Sequence, residues 1–170
     1  ASVGKLTGFE HAMKSGAGYA EIILPDGLAV GTYMAVNACG EIYDQDKILA
    51  GALADDDRTI ISSHRLMLEG YERNMGGNTS IGCIITNADL TKTECRMVST
   101  MAHDGLARSI RPVHTSMDGD TLFTMASGEV KTTIDTVGYL AEEAVRLAVL
   151  DAAASAEGMG GRPAYRDIIK

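Results

Sequence analysis

The sequence predicts a single domain of mixed α/β or α+β class, in which helices cover a β-sheet. The length of 170 residues suits one domain. Separate apolar runs have the length of strands, and two longer runs repeat apolar residues at helical spacing. The elements follow in the order strand, strand, loop, strand, helix, strand, helix, which is typical of helices packed on a sheet.

The first half of the chain is predicted to contain a β-hairpin. Residues 17–24 and 28–38 are apolar and strand-like, and Pro25-Asp26-Gly27 joins them as a turn. The other elements expected here are a short helix at 6–14, turns over 39–53, an exposed charged loop at 54–58 and a helix near 64–73.

The third predicted strand, residues 79–87, follows a Gly-Gly-Asn loop. Alternation along a strand places Thr79 on the same face as Ile81, Cys83 and Ile85. Because those three side chains are apolar, we expect this face to point toward a packed interior.

Two helices and a fourth strand complete the predicted fold. Residues 91–109 are expected to form a helix, with Thr91 as its N-cap and Glu94 completing a capping box. Residues 120–126 are strand-like, and an Ala-rich amphipathic helix is expected from residue 135 to about residue 157.

Composition excludes several classes of function. The net charge is -8 at pH 7, and the segments on both sides of Thr79 are acidic, so no region predicts a nucleic-acid surface. No apolar run reaches the roughly 18 residues that a membrane span needs. Cys39, Cys83 and Cys95 follow no metal or redox spacing, which suits a reducing compartment.

The pair Asn78-Thr79 is a candidate for autoproteolysis. The Thr79 hydroxyl could attack the Asn78 carbonyl in an N-to-O acyl shift, and water would then open the ester. The new α-amine of Thr79, with an ordinary pKa of about 8, could deprotonate the hydroxyl of the same residue. Two simpler interpretations stay open: a loop entering an ordinary strand, or a glycosylation sequon over Asn78-Thr79-Ser80, relevant only to a secreted protein.

Other polar residues could assist such chemistry. Asp118 and Asp120 are two residues apart at the start of a strand and therefore share one side, where they could hold an ammonium group. Asn37 ends the second strand and could donate to an oxyanion, and Lys5 could favour a deprotonated nucleophile. Each also has a simpler interpretation as a turn residue, a strand-end cap or a solvated lysine.

His103 and His114 are candidates for metal ligands or catalytic bases. Their spacing fits no metal motif, so we predict no metal site. A triad of His103-Asp104 with Ser80 or Ser99 has nothing to fix its geometry, and His103 is expected to be a helix-surface histidine.

Several motifs run along the chain in a fixed order. They are SVGK (2–5), AVNA (35–38), ILAGA (48–52), GNTSIG (77–82), TNADLTK (86–92), MAHDGLAR (101–108), IRPVHT (110–115) and DGDT (118–121). Together they resemble the L-aminopeptidase/D-esterase family, which includes the β-peptidyl aminopeptidases and the endo-acting 6-aminohexanoate-oligomer hydrolases. The resemblance spans nearly the whole chain, and motifs this long and collinear are specific.

The resemblance implies an α+β fold, a four-layer αββα sandwich similar to that of N-terminal nucleophile hydrolases but with different connectivity. It implies that residues 1–170 form a single domain, the C-terminal part of a longer precursor. Residues 1–78 would end the α chain and 79–170 would form the β chain. Family members are cytoplasmic homo-oligomers, often tetramers, so the upstream segment and further copies are the expected partners.

The resemblance also implies roles for individual residues. Thr79 matches the nucleophile that autocleavage after Asn78 exposes. Asn37 matches the amide near the oxyanion, and Lys5 matches an active-site lysine. The family's carboxylate pair, in the form found in the nylon-oligomer hydrolase branch, corresponds to Asp118 and Asp120. No metal or organic cofactor is required.

The expected function is that of a self-processing amidohydrolase or aminopeptidase. It would cleave amide bonds of small peptides or amino-acid oligomers through an N-terminal threonine. Two alternatives stay open. One is acyl transfer on the same architecture, as in the related ornithine acetyltransferases, whose motif before the threonine is different. The other is an unprocessed, inactive domain that serves binding or assembly.

Overall fold

The computed structural model describes residues 1–71 and 77–168. The strands are β1 (Ser2–Val3), β2 (Met13–Lys14), β3 (Ala17–Ile23), β4 (Ala29–Ala35), β5 (Glu41–Asp44), β6 (Lys47–Ala50), β7 (Ala52–Leu53), β8 (Ile60–Ile61), β9 (Ile81–Ala88), β10 (Ile110–Arg111) and β11 (Thr121–Val130). The helices are α1 (Ser63–Leu68), α2 (Lys92–Ser109), α3 (Ile134–Ala154) and α4 (Tyr165–Ile168).

A four-stranded central sheet has the order β11-β9-β4-β3. The pairs β3/β4 and β4/β9 are antiparallel, whereas β11 runs parallel to β9. The predicted hairpin is confirmed: the Leu24 amide donates to Leu28 O at 2.8 Å, and Gly27 takes the positive φ of 86° that the turn needs. This sheet places the ends of β4, β9 and β11 side by side.

Helices α2 and α3 pack together on one face of the central sheet. The predicted capping box of α2 is confirmed, since the Thr91 amide donates to Glu94 Oε2 at 2.7 Å and the Glu94 amide to Thr91 Oγ1 at 3.3 Å. Gly105 allows the close approach of the helices, because a Cβ there would overlap the Glu142 carbonyl oxygen of α3. None of the helices in the described ranges is long and apolar enough to cross a membrane.

The opposite face of the central sheet is open among the described residues. Tyr33, Ile85, Phe123 and Met125 on this face are each more than half exposed. Three of them, with neighbouring side chains, line an open groove of about 700 Å³. The sheet therefore has one side packed by helices and one apolar side exposed.

The prediction that the Thr79 side chain points toward a packed interior is wrong. The predicted alternation along β9 is present, but the side chains that enter the core are those of Ile84 and Ala88. Thr79 is exposed and Ile81 is 48% exposed. These side chains point to the uncovered face, because the helical layer lies on the other side of the sheet.

The prediction of turns over 39–53 is also wrong. This stretch forms β5, β6 and β7, and a second sheet has the order β10-β5-β6. Ile42 in β5 lies opposite Ile110 in β10, far along the chain. β5 also pairs with its neighbour β6, and the turn-like residues on which the prediction was based lie in or beside these strands, because strand formation depends on the tertiary context.

Two predicted helices are shorter than expected. Residues 6–14 contain only a 3₁₀ turn at Phe9–His11, followed by β2. The helix near 64–73 is α1, which ends at Leu68, and the end of the predicted range lies outside the described residues. The exposed loop at 54–58 is confirmed.

Glu41 is a fully buried carboxyl group that ties β5 to α1. It accepts hydrogen bonds from Tyr43 Oη at 2.8 Å and from the Ser63 amide. Burial raises its pKa from 4.5 to about 6, although these hydrogen bonds oppose the shift. The folded protein therefore binds this proton more tightly than the unfolded chain does.

We predict that Glu41 makes folding stability fall as pH rises. Its contribution is fully present below about pH 4.5 and is lost as pH rises through about 6, a loss of roughly 2 kcal/mol. Urea unfolding at both ends of this window measures it. Glu41→Gln should lack this component, while the exposed control Glu129→Gln should keep it. Equal pH dependence in the wild type and Glu41→Gln would contradict the assignment.

Candidate active site

The segment Asn78–Ser80 lies beside the segment Asp118–Asp120. Asn78 and Asp118 form a parallel bridge, and the Gly119 amide donates to Asn78 O at 2.9 Å. The Thr121 amide then donates to Ser80 O at 3.0 Å. The parallel pairing of β9 and β11 thus continues on the N-terminal side of both strands. It brings the predicted cleavage site next to the predicted carboxylate pair.

The Asp118 carboxylate holds two loops together. Its Oδ1 accepts from the Cys39 amide at 3.1 Å, and its Oδ2 accepts from the Thr115 hydroxyl at 2.7 Å and the Thr115 amide at 3.3 Å. Cys39 lies just beyond the end of β4, whereas Thr115 lies in the loop after β10. Asp118 therefore fixes the loop that carries it to the loop that follows Asn37.

The Asp120 carboxylate lies closer to the backbone that follows Thr79. Its Oδ1 accepts from the Ser80 amide at 2.8 Å, and its Oδ2 lies 3.1 Å from His114 Nδ1. The Asp120 side chain is only 1% exposed. Within the described residues neither carboxylate bonds Thr79 itself, so each acts on the backbone around Thr79.

Asn37 connects Thr79 to Lys5. The Thr79 amide donates to Asn37 O at 3.1 Å, and Lys5 Nζ donates to Asn37 O and Oδ1, both at 3.0 Å. The Ser2 amide also donates to Asn37 Oδ1, at 3.2 Å. In the part of the chain that the structure describes, the Asn37 Nδ2 group donates to no protein atom. It can therefore donate to a substrate oxygen.

Lys5 is a buried amine with a lowered pKa. Its residue is 4% exposed, and burial lowers its pKa from 10.5 to about 8, a shift that the nearby Cys39 and Asp118 oppose. The thiol of Cys39 stays protonated at neutral pH, because burial raises its pKa to about 11. A lysine with this pKa exchanges between ammonium and amine near neutral pH.

The Thr79 hydroxyl lies against the carbonyl that precedes it. Thr79 Oγ1 donates to Asn78 O at 2.5 Å, and the Gly119 amide donates to the same oxygen. Two donors on one carbonyl oxygen polarise the carbonyl group and stabilise negative charge on the oxygen. The residues predicted from sequence are therefore brought into one cluster: Lys5, Asn37, Asn78, Thr79, Asp118 and Asp120.

Two histidines extend this cluster, and no sequence pattern predicts their contacts. His114 Nε2 lies 3.4 Å from His103 Nδ1, so His103 of α2 is in contact with the loop after β10. His103 was expected at the surface of its helix, and nothing in a spacing of eleven residues predicts this contact. Within residues 1–71 and 77–168, no three or more His, Cys, Asp or Glu side chains are grouped so that they could hold a metal ion.

Residues 2–166 match peptidase family S58. The chain belongs to this family. Among its S58 relatives, an uncharacterized aminopeptidase of Mycobacterium tuberculosis is 34% identical over 181 residues, which cover 92% of this chain and 53% of the relative. A 6-aminohexanoate-oligomer endohydrolase of Paenarthrobacter ureafaciens is 41% identical over 54 residues, 32% of this chain and 15% of the relative.

Solved structures show the same fold. A β-aminopeptidase of Burkholderia sp. aligns with a TM-score of 0.60 and 19% identity over 89% of this chain and 45% of its own. The L-aminopeptidase D-Ala-esterase/amidase of Ochrobactrum anthropi, described as a variant of the Ntn-hydrolase fold, aligns with a TM-score of 0.60 and 18% identity over 90% and 44%. The predicted α+β class and its likeness to N-terminal nucleophile hydrolases are confirmed. The chain spans about half the length of the curated S58 aminopeptidases that it matches over most of its own length.

We predict that Gly119→Ala slows cleavage of the Asn78-Thr79 bond by about 10- to 100-fold, because a Cβ on Gly119 would lie 2.7 Å from Thr79 Oγ1 and displace the hydroxyl. Intact-mass spectrometry over time measures the rate. The matched control is Gly16→Ala, where the nearest atom to the new Cβ is 3.7 Å away. Equal rates in the two variants would contradict the packing of the glycine on the hydroxyl.

Proposed function

We propose that this chain is the nucleophile-bearing part of a self-processing amidohydrolase or aminopeptidase, with Thr79 as its N-terminal nucleophile. The observation that carries the proposal is the contact of the Thr79 hydroxyl with the Asn78 carbonyl, whose oxygen also accepts from the Gly119 amide. An N-to-O acyl shift requires a hydroxyl beside a polarised carbonyl, and from this position Oγ1 must turn from donating to the carbonyl oxygen to facing the carbonyl carbon.

Autocleavage begins with attack of Thr79 Oγ1 on the carbonyl carbon of Asn78. The hydroxyl proton passes to a base, the C–N bond breaks, and the Thr79 nitrogen takes up a proton as it becomes an amine. The product is an ester between Asn78 and Thr79 Oγ1. Water then adds to the ester carbonyl, which releases the Asn78 carboxylate and restores the hydroxyl. The Gly119 amide holds the developing oxyanion throughout.

Turnover repeats the same chemistry on a substrate amide. Thr79 Oγ1 attacks the substrate carbonyl while the free α-amine accepts the hydroxyl proton. Asn37 Nδ2 donates to the oxyanion, and loss of one such donor costs about 100- to 1000-fold in rate. The amine product leaves with the proton, and water hydrolyses the acyl-enzyme.

The two aspartates and Lys5 support the nucleophile from different sides. Asp120 holds the Ser80 amide, and Asp118 holds the Cys39 amide beyond Asn37. Lys5 bonds Asn37, whose carbonyl accepts from the Thr79 amide before cleavage. In its neutral form Lys5 is the base we assign to the first proton transfer of autocleavage, for which Nζ must turn from Asn37 to Thr79 Oγ1.

The substrate class proposed is a small peptide or an amino-acid oligomer with amide bonds. Names of the relatives, an aminopeptidase and an endohydrolase of 6-aminohexanoate oligomers, support this class. We also propose that residues 1–170 form a single domain, with an α chain that ends at Asn78 and a β chain over 79–170. It works in the cytoplasm as a homo-oligomer, a tetramer being expected, with the upstream segment of the precursor as partner.

We predict that Thr79→Ala abolishes both self-cleavage and amide hydrolysis, because it removes the only hydroxyl beside the Asn78 carbonyl in the described cluster. Thr79→Ser keeps a hydroxyl and should retain cleavage. Intact-mass spectrometry should find two fragments, divided between Asn78 and Thr79, in the wild type and in Thr79→Ser but not in Thr79→Ala. Cleavage at this bond in Thr79→Ala would refute the nucleophile assignment. A folded wild type that stays uncut would refute self-processing by this chain.

We also predict that self-cleavage accelerates as pH rises through about 8, because neutral Lys5 becomes more populated there. Lys5→Arg keeps the positive charge but cannot lose its proton, so it should slow cleavage about 100-fold or more and lose this pH dependence. Lys5→Met should be similarly slow. Wild-type rate and pH profile in Lys5→Arg would overturn the assignment of Lys5 as the base.

A further inference from the structure

We propose that His114, supported by His103, is a positioning residue that holds the Asp120 carboxylate on the backbone next to Thr79. This inference deepens the proposed function and rests on it for its catalytic consequence. Neither histidine belongs to the residues predicted from the sequence, and neither bonds Thr79 within the described residues. The effect therefore passes through Asp120 and Ser80.

Asp120 has each of its oxygens engaged by a different partner. Oδ1 accepts from the Ser80 amide at 2.8 Å, and Oδ2 accepts from His114 Nδ1 at 3.1 Å. The carboxylate is 1% exposed, so water cannot replace a lost partner readily. Ser80 directly follows the nucleophile, and its amide direction sets the position of the Thr79 carbonyl and side chain.

The donor and the acceptor can be assigned in both contacts, that of Asp120 with His114 and that of His114 with His103. A carboxylate only accepts, so His114 Nδ1 carries the proton that points to Asp120. In neutral His114 the Nε2 atom is then an acceptor, and it receives His103 Nδ1–H at 3.4 Å. The two rings lie 4.9 Å apart between centroids and are tilted by 58°. His103 thus fixes the tautomer in which His114 donates to Asp120.

The surroundings of His103 disfavour its charged form. Burial, followed by the proximity of His114, lowers the pKa of His103, while Asp120 and Asp104 oppose this shift. His103 is therefore neutral at neutral pH, and its Nδ1–H remains available to His114 Nε2.

The backbone of His114 gives an independent indication. Its φ is 53°, in the left-handed region, which is unfavourable for an ordinary residue. Such strain is retained where a side chain must be aimed, and here it aims the imidazole at Asp120. Asparagine tolerates this backbone well and presents a donor near the position of Nδ1. His114→Asn is therefore a variant that keeps the hydrogen bond and lacks the titratable ring.

The first test measures self-cleavage by intact mass at neutral pH. His114→Ala should slow cleavage by about 10- to 100-fold, the loss expected for a charge-assisted hydrogen bond. His114→Asn should recover a rate within about threefold of the wild type, because it keeps a donor to Asp120 and tolerates the backbone conformation. A folded His114→Asn that is as slow as His114→Ala would overturn the proposal. So would a His114→Ala that cleaves at the wild-type rate.

The second test does not depend on cleavage. In the Thr79→Ala background, which keeps the chain uncut, NMR measures hydrogen exchange of the Ser80 amide and the tautomer of His114. His114→Ala should lower Ser80 protection about tenfold or more, and His114→Asn should preserve it. Unchanged Ser80 protection in His114→Ala, or a neutral His114 protonated on Nε2, would overturn the positioning role. A wild type that never cleaves would refute the proposed function alone, since this second test would still decide the role of His114.

Discussion

The candidate site depends on the backbone pairing of Asn78–Ser80 with Asp118–Asp120. Parallel hydrogen bonds between these two segments place an amide on the Asn78 carbonyl oxygen and a carboxylate on the Ser80 amide. Both contacts arise from one register, which continues the pairing of Thr121 with Ile81. Because a parallel register fixes every contact along it, a shift by one residue would separate all of these groups at once.

The antiparallel neighbour of β9 supplies the rest of the site. β4 ends at Ala35, and the chain then passes Asn37 across the front of Thr79, where the Asn37 carbonyl meets the Thr79 amide. Lys5 reaches the same residue because its own amide bonds Cys39 O. Burial at this junction also lowers the pKa of the lysine to about 8. The strand ends therefore determine both the geometry and the electrostatics of the cluster.

Local sequence signals correctly predicted the features of the fold that local interactions form. The Pro25-Asp26-Gly27 turn and the Thr91 capping box were correct because neighbouring residues determine them. β5 was missed because its Tyr-Asp pair is typical of a turn, whereas pairing with both β6 and β10 makes it a strand. Motifs identified the residues of the candidate site, yet their contacts could not be predicted. That Asp120 bonds the Ser80 amide and His114, and not Thr79, follows from tertiary packing alone.

The error in the direction of Thr79 has a physical explanation that agrees with its proposed role. An apolar strand face suggests burial, but a nucleophile on the helix-packed side would be closed to any substrate. The structure has the buried side of β9 at Ile84 and Ala88, and the hydroxyl on the open side. That open side continues from Thr79 past Ile81 toward an apolar groove that includes Ile85. Exposed apolar surface beside a nucleophile is suited to contact a further layer of protein or a substrate with a hydrocarbon chain. The alternation that led to the wrong prediction is therefore the feature that makes the Thr79 hydroxyl accessible.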